Sequence, residues 1–136
     1  MFVATNTTEQ VIEPNQSITF DLVLQHTGCP RAERHRKGSA NVVLINRNLF
    51  DIDFSANIAG EAAGAIQLSV FVDGEALPES TMISTPATAN EINNVARPGL
   101  KIRRLGCSTV VSVRNNGTTN IILPAKSALL SIRPIG

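Results

Sequence analysis

The residues with the greatest capacity for chemistry in this sequence are its two cysteines and two histidines, His26, Cys29, His35 and Cys107. A cysteine nucleophile needs a base within hydrogen-bond distance, and structural zinc sites take Cys and His at characteristic spacings. These four residues match no standard zinc spacing, and Cys107 has no second cysteine nearby. The sequence therefore predicts no catalytic residue, metal or other cofactor, and leaves Cys29 and Cys107 as a candidate disulfide pair.

Two carboxylates, Asp51 and Asp53, alternate with apolar residues and could act as a catalytic pair or hold a cation. Such residues more often form the solvated side of a strand, because successive side chains of a strand point to opposite faces. The sequence also lacks the GxSxG, P-loop and HExxH motifs that accompany common hydrolytic and nucleotide chemistry. We therefore predict that the protein is not an enzyme.

Basic side chains concentrate in two segments, which are candidate partner-binding loops. Arginine forks suit carboxylates and phosphates, although a solvated loop or charge pairing across a subunit boundary would explain the same composition. If Cys29 and Cys107 were neighbours in space, the two segments would form one patch. The net charge of +1 and the lack of interleaved aromatics predict neither a nucleic-acid nor a membrane partner. The basic residues are Arg31, Arg34, Arg36 and Lys37, and then Lys101, Arg103 and Arg104.

The elements that must position these residues are strands. Between residues 49 and 58, apolar side chains such as Phe50, Ile52 and Phe54 alternate with Asp51 and Asp53, which is typical of a half-buried strand. No amphipathic helix pattern of three turns is present. We expect strands at residues 2–5, 17–25, 40–46, 49–58, 66–72, 75–83, 109–114, 119–123 and 127–135.

Two turn dipeptides, Asp73-Gly74 and Asn116-Gly117, each separate a pair of these runs. Dipeptides of this type adopt the positive φ values of tight turns, so each predicts a β-hairpin. Residues 85–105 are harder to assign, because Pro86 and Pro98-Gly99 interrupt the pattern, and residues 90–96 fit either a strand or a short turn of helix.

The fold class that follows is all-β. About eight to ten short antiparallel strands predict a sandwich, and the long connections at residues 28–38 and 85–98 favour Greek-key crossings. We predict a jelly-roll β-sandwich in one domain of residues 1–136. Its first fifteen residues either complete the subunit's own sheet or extend to a neighbour.

With the strands placed, the sequence resembles the trimeric jelly-roll heads of the tumour necrosis factor and complement type, especially their bacterial and phage members. The resemblance covers nearly the whole chain. The segment LFDIDFSANI at residues 49–58 is similar to the family's G-x-Y-x-V-x-F-x-A-x-I strand. The other matching segments are FDLVLQHTGC (20–29), RHRKGS (34–39), VDGE (72–75), TMI (81–83) and VRN (113–115).

The resemblance implies a homotrimer, and low charge is consistent with buried subunit surfaces. Charged residues make up 17% of the chain, below the roughly 25% usual for soluble domains, although surface Ser, Thr and Asn would also lower this fraction. The candidate trimer-interface residues are Val111, Ile121, Leu123 and Leu129.

The free-standing head further resembles phage structural proteins. This second resemblance implies that the protein is a capsid decoration or head-fibre protein, whose partner is the major capsid protein or a fibre stalk. The sequence starts without a basic, apolar leader, so we expect assembly in the host cytoplasm and a final place on the virion surface. The alternative is a receptor- or glycan-binding head of a tail fibre or of a spore-coat-like bacterial surface protein, whose partner would be a host receptor.

Overall fold

The computed structural model describes residues 1–28 and 31–135 and shows two antiparallel sheets. Short, β-branched segments separated by Gly, Pro and Asn turns form the strands. A 3-10 turn, Pro78–Ser80, is the helical element of the described residues, in which no helix is long and apolar enough to cross a membrane. The strands are β1 Phe2–Thr5, β2 Gln10–Ile12, β3 Leu22–His26, β4 Glu33–Arg34, β5 Val42–Leu44, β6 Leu49–Gly60, β7 Ile66–Val72, β8 Glu75–Ala76, β9 Met82–Ser84, β10 Asn93–Arg103, β11 Thr109–Asn115, β12 Ile121–Leu123 and β13 Leu129–Pro134.

The first sheet is built around the long strand β6. Its order is β2-β12-β6-β13-β1-β3, and β10 pairs with β6 along the opposite edge. The second sheet has the order β4-β5-β11-β7-β8, with β9 also paired to β7. Most sheet neighbours are distant in sequence, so the chain crosses repeatedly between the sheets. This arrangement confirms the predicted all-β jelly-roll sandwich.

The core lies between the two sheets and is filled by the residues that the alternation assigned inward. Phe50, Ile52 and Phe54 of β6 are buried, as are Leu130 and Ile132 of β13. Each such side chain contributes roughly 1.5–3 kcal/mol relative to an exposed one. Their opposite neighbours on β6 therefore face outward.

The N-terminal segment completes the first sheet of its own subunit. β1 lies between β13 and β3, and β2 pairs with β12. Between these strands, the buried Asn6 donates from Nδ2 to the carbonyl oxygens of Thr8 and Pro124, both at 2.9 Å, and accepts from the Ala128 N–H at 3.0 Å. The segment therefore does not extend away from its own subunit.

One predicted hairpin is confirmed and the other is wrong. Asp73 and Gly74 have φ values of 51° and 86° and join β7 to β8 with Val72 facing Glu75. Asn116-Gly117 instead passes the chain from the second sheet to the first, because β11 pairs with β5 and β7 while β12 pairs with β2 and β6. The Asn115 side chain directs this crossing by donating to the carbonyls of Ile12 and Thr119, both at 2.8 Å.

Residues 85–105, left unassigned by the pattern, contain one of the longest strands. β10 pairs with β6 over most of its length, with an irregularity between Arg97 and Leu100. Pro98 has no N–H for the ladder, and Gly99 has a φ of 70°. Together they form a bulge inside the strand rather than its end. Elsewhere the strand predicted at residues 17–25 is shorter and begins later, because β3 covers Leu22–His26. Ser17 forms an isolated β-bridge to Arg114.

Candidate association surface

The outward face of the first sheet is positioned by three adjacent strands, β10, β6 and β13. Their inward side chains belong to the core, so the pleat projects the alternate residues away from it. Ser55 on β6 lies opposite Ala96 of β10 on one side and Leu129 of β13 on the other. One step along the same face, Asp53 lies opposite Ser131.

These outward residues enclose a shallow hollow of about 240 Å³. Its walls are small side chains, and Leu129 stands at its side with 42% of its surface exposed. Gly99 donates its N–H to Asp53 Oδ1 at 2.6 Å, which fixes the bulge of β10 against the hollow. A concave, mostly small-residue surface beside an exposed leucine is suited to packing against another protein surface. We call it the association face, made of Asp53, Ser55, Ala96, Pro98, Leu129 and Ser131.

Paired charges border the association face at one end. Asp51, whose side chain is 9% exposed, accepts from Lys101 Nζ and from Arg133 Nη2, each at 2.8 Å. The hydrogen bond from Lys101, with that from Arg133, holds the pKa of the Asp51 carboxyl below its ordinary value, against the opposing effect of burial. The carboxylate is therefore charged and matched by cations within its own subunit.

Apolar residues border the association face at the other end. Ile122 of β12 lies opposite Val11 of β2 on the outward side, and beside Ala59 of β6. Val11 is 51% exposed. The face thus passes from paired charge, through small side chains, to exposed apolar side chains.

Three of the four predicted interface residues do not lie on this surface. Val111, Ile121 and Leu123 are 0% exposed and belong to the core of their own subunit, so their assignment to an interface is wrong. β11 and β12 carry apolar residues on both faces, so alternation alone cannot tell the inward side from the outward one. Leu129 is the predicted residue that faces outward.

The remaining association-face residues were not identified from the sequence. Ser55, Ala96 and Ser131 are small and come from three strands that are distant in the chain. The available signal was the alternation of β6, which places Asp53 and Ser55 on one outward side. The pairing of β10 with β6 brings Ala96 and Pro98 to the same face. This strand was not predicted, because Pro98-Gly99 interrupts its sequence pattern.

The two basic segments adjoin at one end and diverge from there. Asn46 Nδ2 donates to the carbonyl oxygen of Arg31 at 2.6 Å, and the next residue along this loop accepts from Arg104. Arg34 lies opposite Val43 on the outward side of the second sheet, whereas Lys101 contacts Asp51 on the outward side of the first. Arg104 donates to the carbonyl oxygens of Arg47, Gly106 and Cys107 at 2.5, 2.7 and 2.9 Å, which fixes the adjoining loops. Arg31, Arg36, Lys37 and Arg103 are exposed.

The two histidines lie together against Phe2, and Cys107 lies in a different loop. Phe2 packs edge-on against the rings of both His26 and His35, with ring centroids 5.4 Å apart in each case. Cys107 is exposed in the loop held by Arg104. The candidate pair of Cys29 with Cys107 involves a residue outside those described. Within residues 1–28 and 31–135, no three His, Cys, Asp or Glu side chains form a cluster that could hold a metal ion.

Comparison with known proteins supports the fold. No protein-family model and no curated protein matches the chain. Among solved structures, murine APRIL superposes with a TM-score of 0.72 at 10% identity, covering 98% of both chains. Eiger TNF from S. frugiperda gives 0.73 at 6% identity, covering 99% of this chain and 91% of Eiger. Pika GITRL gives 0.50 at 12% identity, covering 99% of this chain and 97% of GITRL.

These similarities define the class of fold. The chain has the jelly-roll fold seen in tumour necrosis factor-type heads, over nearly its full length.

Proposed function

We propose that the protein is a homotrimeric jelly-roll head that acts through contacts between subunits and with a larger assembly, without catalysis. The observation that carries this proposal is the association face. It combines small side chains, a hollow and the exposed Leu129 on the open side of the first sheet.

The charge arrangement of this face favours coverage by another subunit. Burying a charge is costly unless it is paired, and Asp51 is already paired with Lys101 and Arg133. A neighbouring subunit can therefore cover Asp51 without leaving it unpaired. Asp53, whose Oδ1 accepts from the Gly99 N–H, is the carboxylate of the face that a neighbouring subunit would have to match. The residues between the paired charges and Val11 are small, so backbones can approach closely.

The number of subunits rests on the resemblance to tumour necrosis factor-type heads, whose fold the chain shares. Three copies related by a threefold axis form a closed ring, in which each association face is covered by the next subunit. A closed ring also limits further growth of the assembly.

The proposed setting is the surface of a phage virion, after assembly in the host cytoplasm. The head would decorate the capsid by contacting the major capsid protein, or would end a fibre by contacting its stalk. The support for this setting is the resemblance of the sequence to phage and bacterial heads of this type.

Sedimentation equilibrium of the purified chain at micromolar concentration tests the association. We expect a mass three times the 14.5 kDa of the chain, and a stable monomer would contradict the proposal. Co-sedimentation with purified capsids then tests the setting. Binding of the isolated trimer to host cells or to a glycan array, without capsid binding, would instead favour the receptor- or glycan-binding head.

A further inference from the structure

A second hollow lies on the outward side of the second sheet, at the edge formed by β4 and β5. It has a volume of about 390 Å³ and is lined by Arg34, His35, Arg36, Ser39, Asn41 and Val43. Val42 and Leu44 are both buried in the core, so the Val43 side chain between them points to the outward face of the sheet. The hollow is thus on the opposite side of the sandwich from the association face.

The backbone around this hollow is held in place by His35. Its Nδ1 lies 2.9 Å from the carbonyl oxygen of Asn41 and its Nε2 lies 3.0 Å from that of Phe20. A carbonyl oxygen only accepts, so both contacts are hydrogen bonds when each ring nitrogen carries a proton. The Gly38 N–H donates to the same Phe20 oxygen at 2.9 Å, and Ser39 N–H donates to Arg36 at 2.9 Å.

The cations of this region lack direct ion pairs. Among the described residues, none of the side chains of Arg31, Arg34, Arg36 and Lys37 forms a salt bridge. The one carboxylate between them, Glu33, points inward with 0% of its side chain exposed and lies 3.6 Å from the N-terminal nitrogen of Met1.

Positive charge is concentrated in this region relative to the rest of the chain. Residues 31–37 contain four of the twelve Lys and Arg residues and one of the eleven carboxylates. The rest of the chain is left with more carboxylates than cations. Asp21 lies close enough to Lys37 for their charges to interact, but its two oxygens accept from the N–H and hydroxyl of Thr7.

We propose that this hollow is a binding site for phosphate or sulfate groups, such as those esterified along a polymer. Arg34 and Arg36 supply planar guanidinium forks, which match the geometry of such oxyanions. The Ser39 hydroxyl and the Asn41 side-chain amide border the same hollow and can donate to the remaining oxygens. If the protein is the trimer proposed above, three copies would engage one polymer and gain affinity by multivalency.

Isothermal titration calorimetry with sodium tripolyphosphate, a probe with adjacent oxyanions, tests the site. We expect binding that weakens as salt is added, because the contacts are between exposed charges. Arg34→Ala and Arg36→Ala should each weaken binding about tenfold, the loss expected for one hydrogen bond to a charged group. Arg103→Ala, which removes an exposed cation from the first sheet, is the matched control and should leave affinity unchanged.

Two polymer arms separate the sources of the oxyanion. Long-chain polyphosphate and dextran sulfate are each titrated, with uncharged dextran as the blank, and the polymer that binds more tightly shows whether the site prefers phosphate or sulfate groups. Absence of binding by tripolyphosphate and both polymers would overturn the proposal. Equal loss in Arg103→Ala and Arg36→Ala would also overturn it, because it would show attraction to charge in general.

The outcome is separable from the proposed trimer. Thermal unfolding of each arginine variant shows whether it is folded. Arg36→Lys keeps the positive charge but removes the planar guanidinium group that can donate two parallel hydrogen bonds. A further loss of tripolyphosphate affinity in Arg36→Lys supports the bidentate geometry. A variant that is monomeric through a change at Leu129 should still bind tripolyphosphate, so failure of the trimer does not remove the site.

Discussion

The two outward faces of the sandwich differ in whether their charged side chains form ion pairs. On the first sheet, Asp51 is matched by Lys101 and Arg133, and the surface beside it consists of small side chains, Leu129 and Asp53, whose Oδ1 accepts from the Gly99 N–H. On the second sheet, Arg34 and Arg36 line a hollow without a paired carboxylate among the described residues.

This difference indicates which face can be covered by protein. Unpaired charges lose their hydration on burial and repel a second copy of themselves, whereas internally paired charges tolerate coverage better. A head with one neutralised face and one cationic face can associate through the first and keep the second accessible. The difference is local, because the chain as a whole has a net charge of only +1.

The largest effect is expected from a cation placed in the centre of the association face. In Leu129→Arg, the longer, charged side chain would lie opposite Ser55, would occupy the hollow and would lose hydration when a neighbouring subunit covers the face. We expect the mass by sedimentation to fall from trimer to monomer at micromolar concentration. Leu24→Arg is the matched control, because Leu24 is 56% exposed on β3, at the edge of the first sheet away from β10. A trimeric Leu129→Arg, or a monomeric Leu24→Arg, would show that the wrong surface has been assigned.

The next effect concerns the crossing that joins the two faces. Asn115→Ala removes the side-chain hydrogen bonds to Ile12, Thr119 and Gly117, and leaves buried carbonyl groups without partners. We expect a loss of about 2 kcal/mol in the free energy of unfolding, measured by urea denaturation. Asn120→Ala is the control, because the Asn120 amide donates one exposed hydrogen bond, to Glu61 at 3.3 Å. An equal effect of the two substitutions would contradict a structural role for Asn115.

The fold was predictable where the pattern was strictly alternating. β6 and β7 are located by their alternation, and the Asp73-Gly74 turn is recognisable because its two positive φ values demand such residues. β2 and β4 were missed because strands of three and two residues show too little alternation. β10 was missed because a bulge, rather than a turn, accommodates Pro98-Gly99.

The association face was mostly not predictable. A surface formed by β10, β6 and β13 depends on which strands become neighbours, and that information is not local in the sequence. Leu129 could be proposed because it is apolar, but Ser55, Ala96 and Ser131 have no individual signature. For the same reason, the apolar Val111 was assigned to an interface although the second sheet buries it.

A smaller effect should follow from removing the charge that neutralises the first face. Asp51→Asn leaves Lys101 and Arg133 without their carboxylate, and we expect a loss of about 1 kcal/mol at neutral pH. The folded-state pKa of Asp51 is lowered from 3.8, so its contribution is present above about pH 4 and is lost as the pH falls through the lowered pKa. Urea midpoints at pH 7 and pH 3 should therefore differ less in Asp51→Asn than in the parent protein. Glu79→Gln, at an exposed carboxylate of the 3-10 turn between β8 and β9, should preserve the parent difference.

The smallest effect is expected on the cationic face in the absence of a ligand. Arg36 is exposed and its side chain forms no ion pair among the described residues, so Arg36→Ala should change the free energy of unfolding by less than about 0.5 kcal/mol. The sedimentation mass should stay that of the parent. Removing one of several like charges relieves repulsion, so any change at low salt should be a slight gain in stability. A loss of assembly in Arg36→Ala would mean that the second face is also a subunit contact, and the contrast between the two faces would fail.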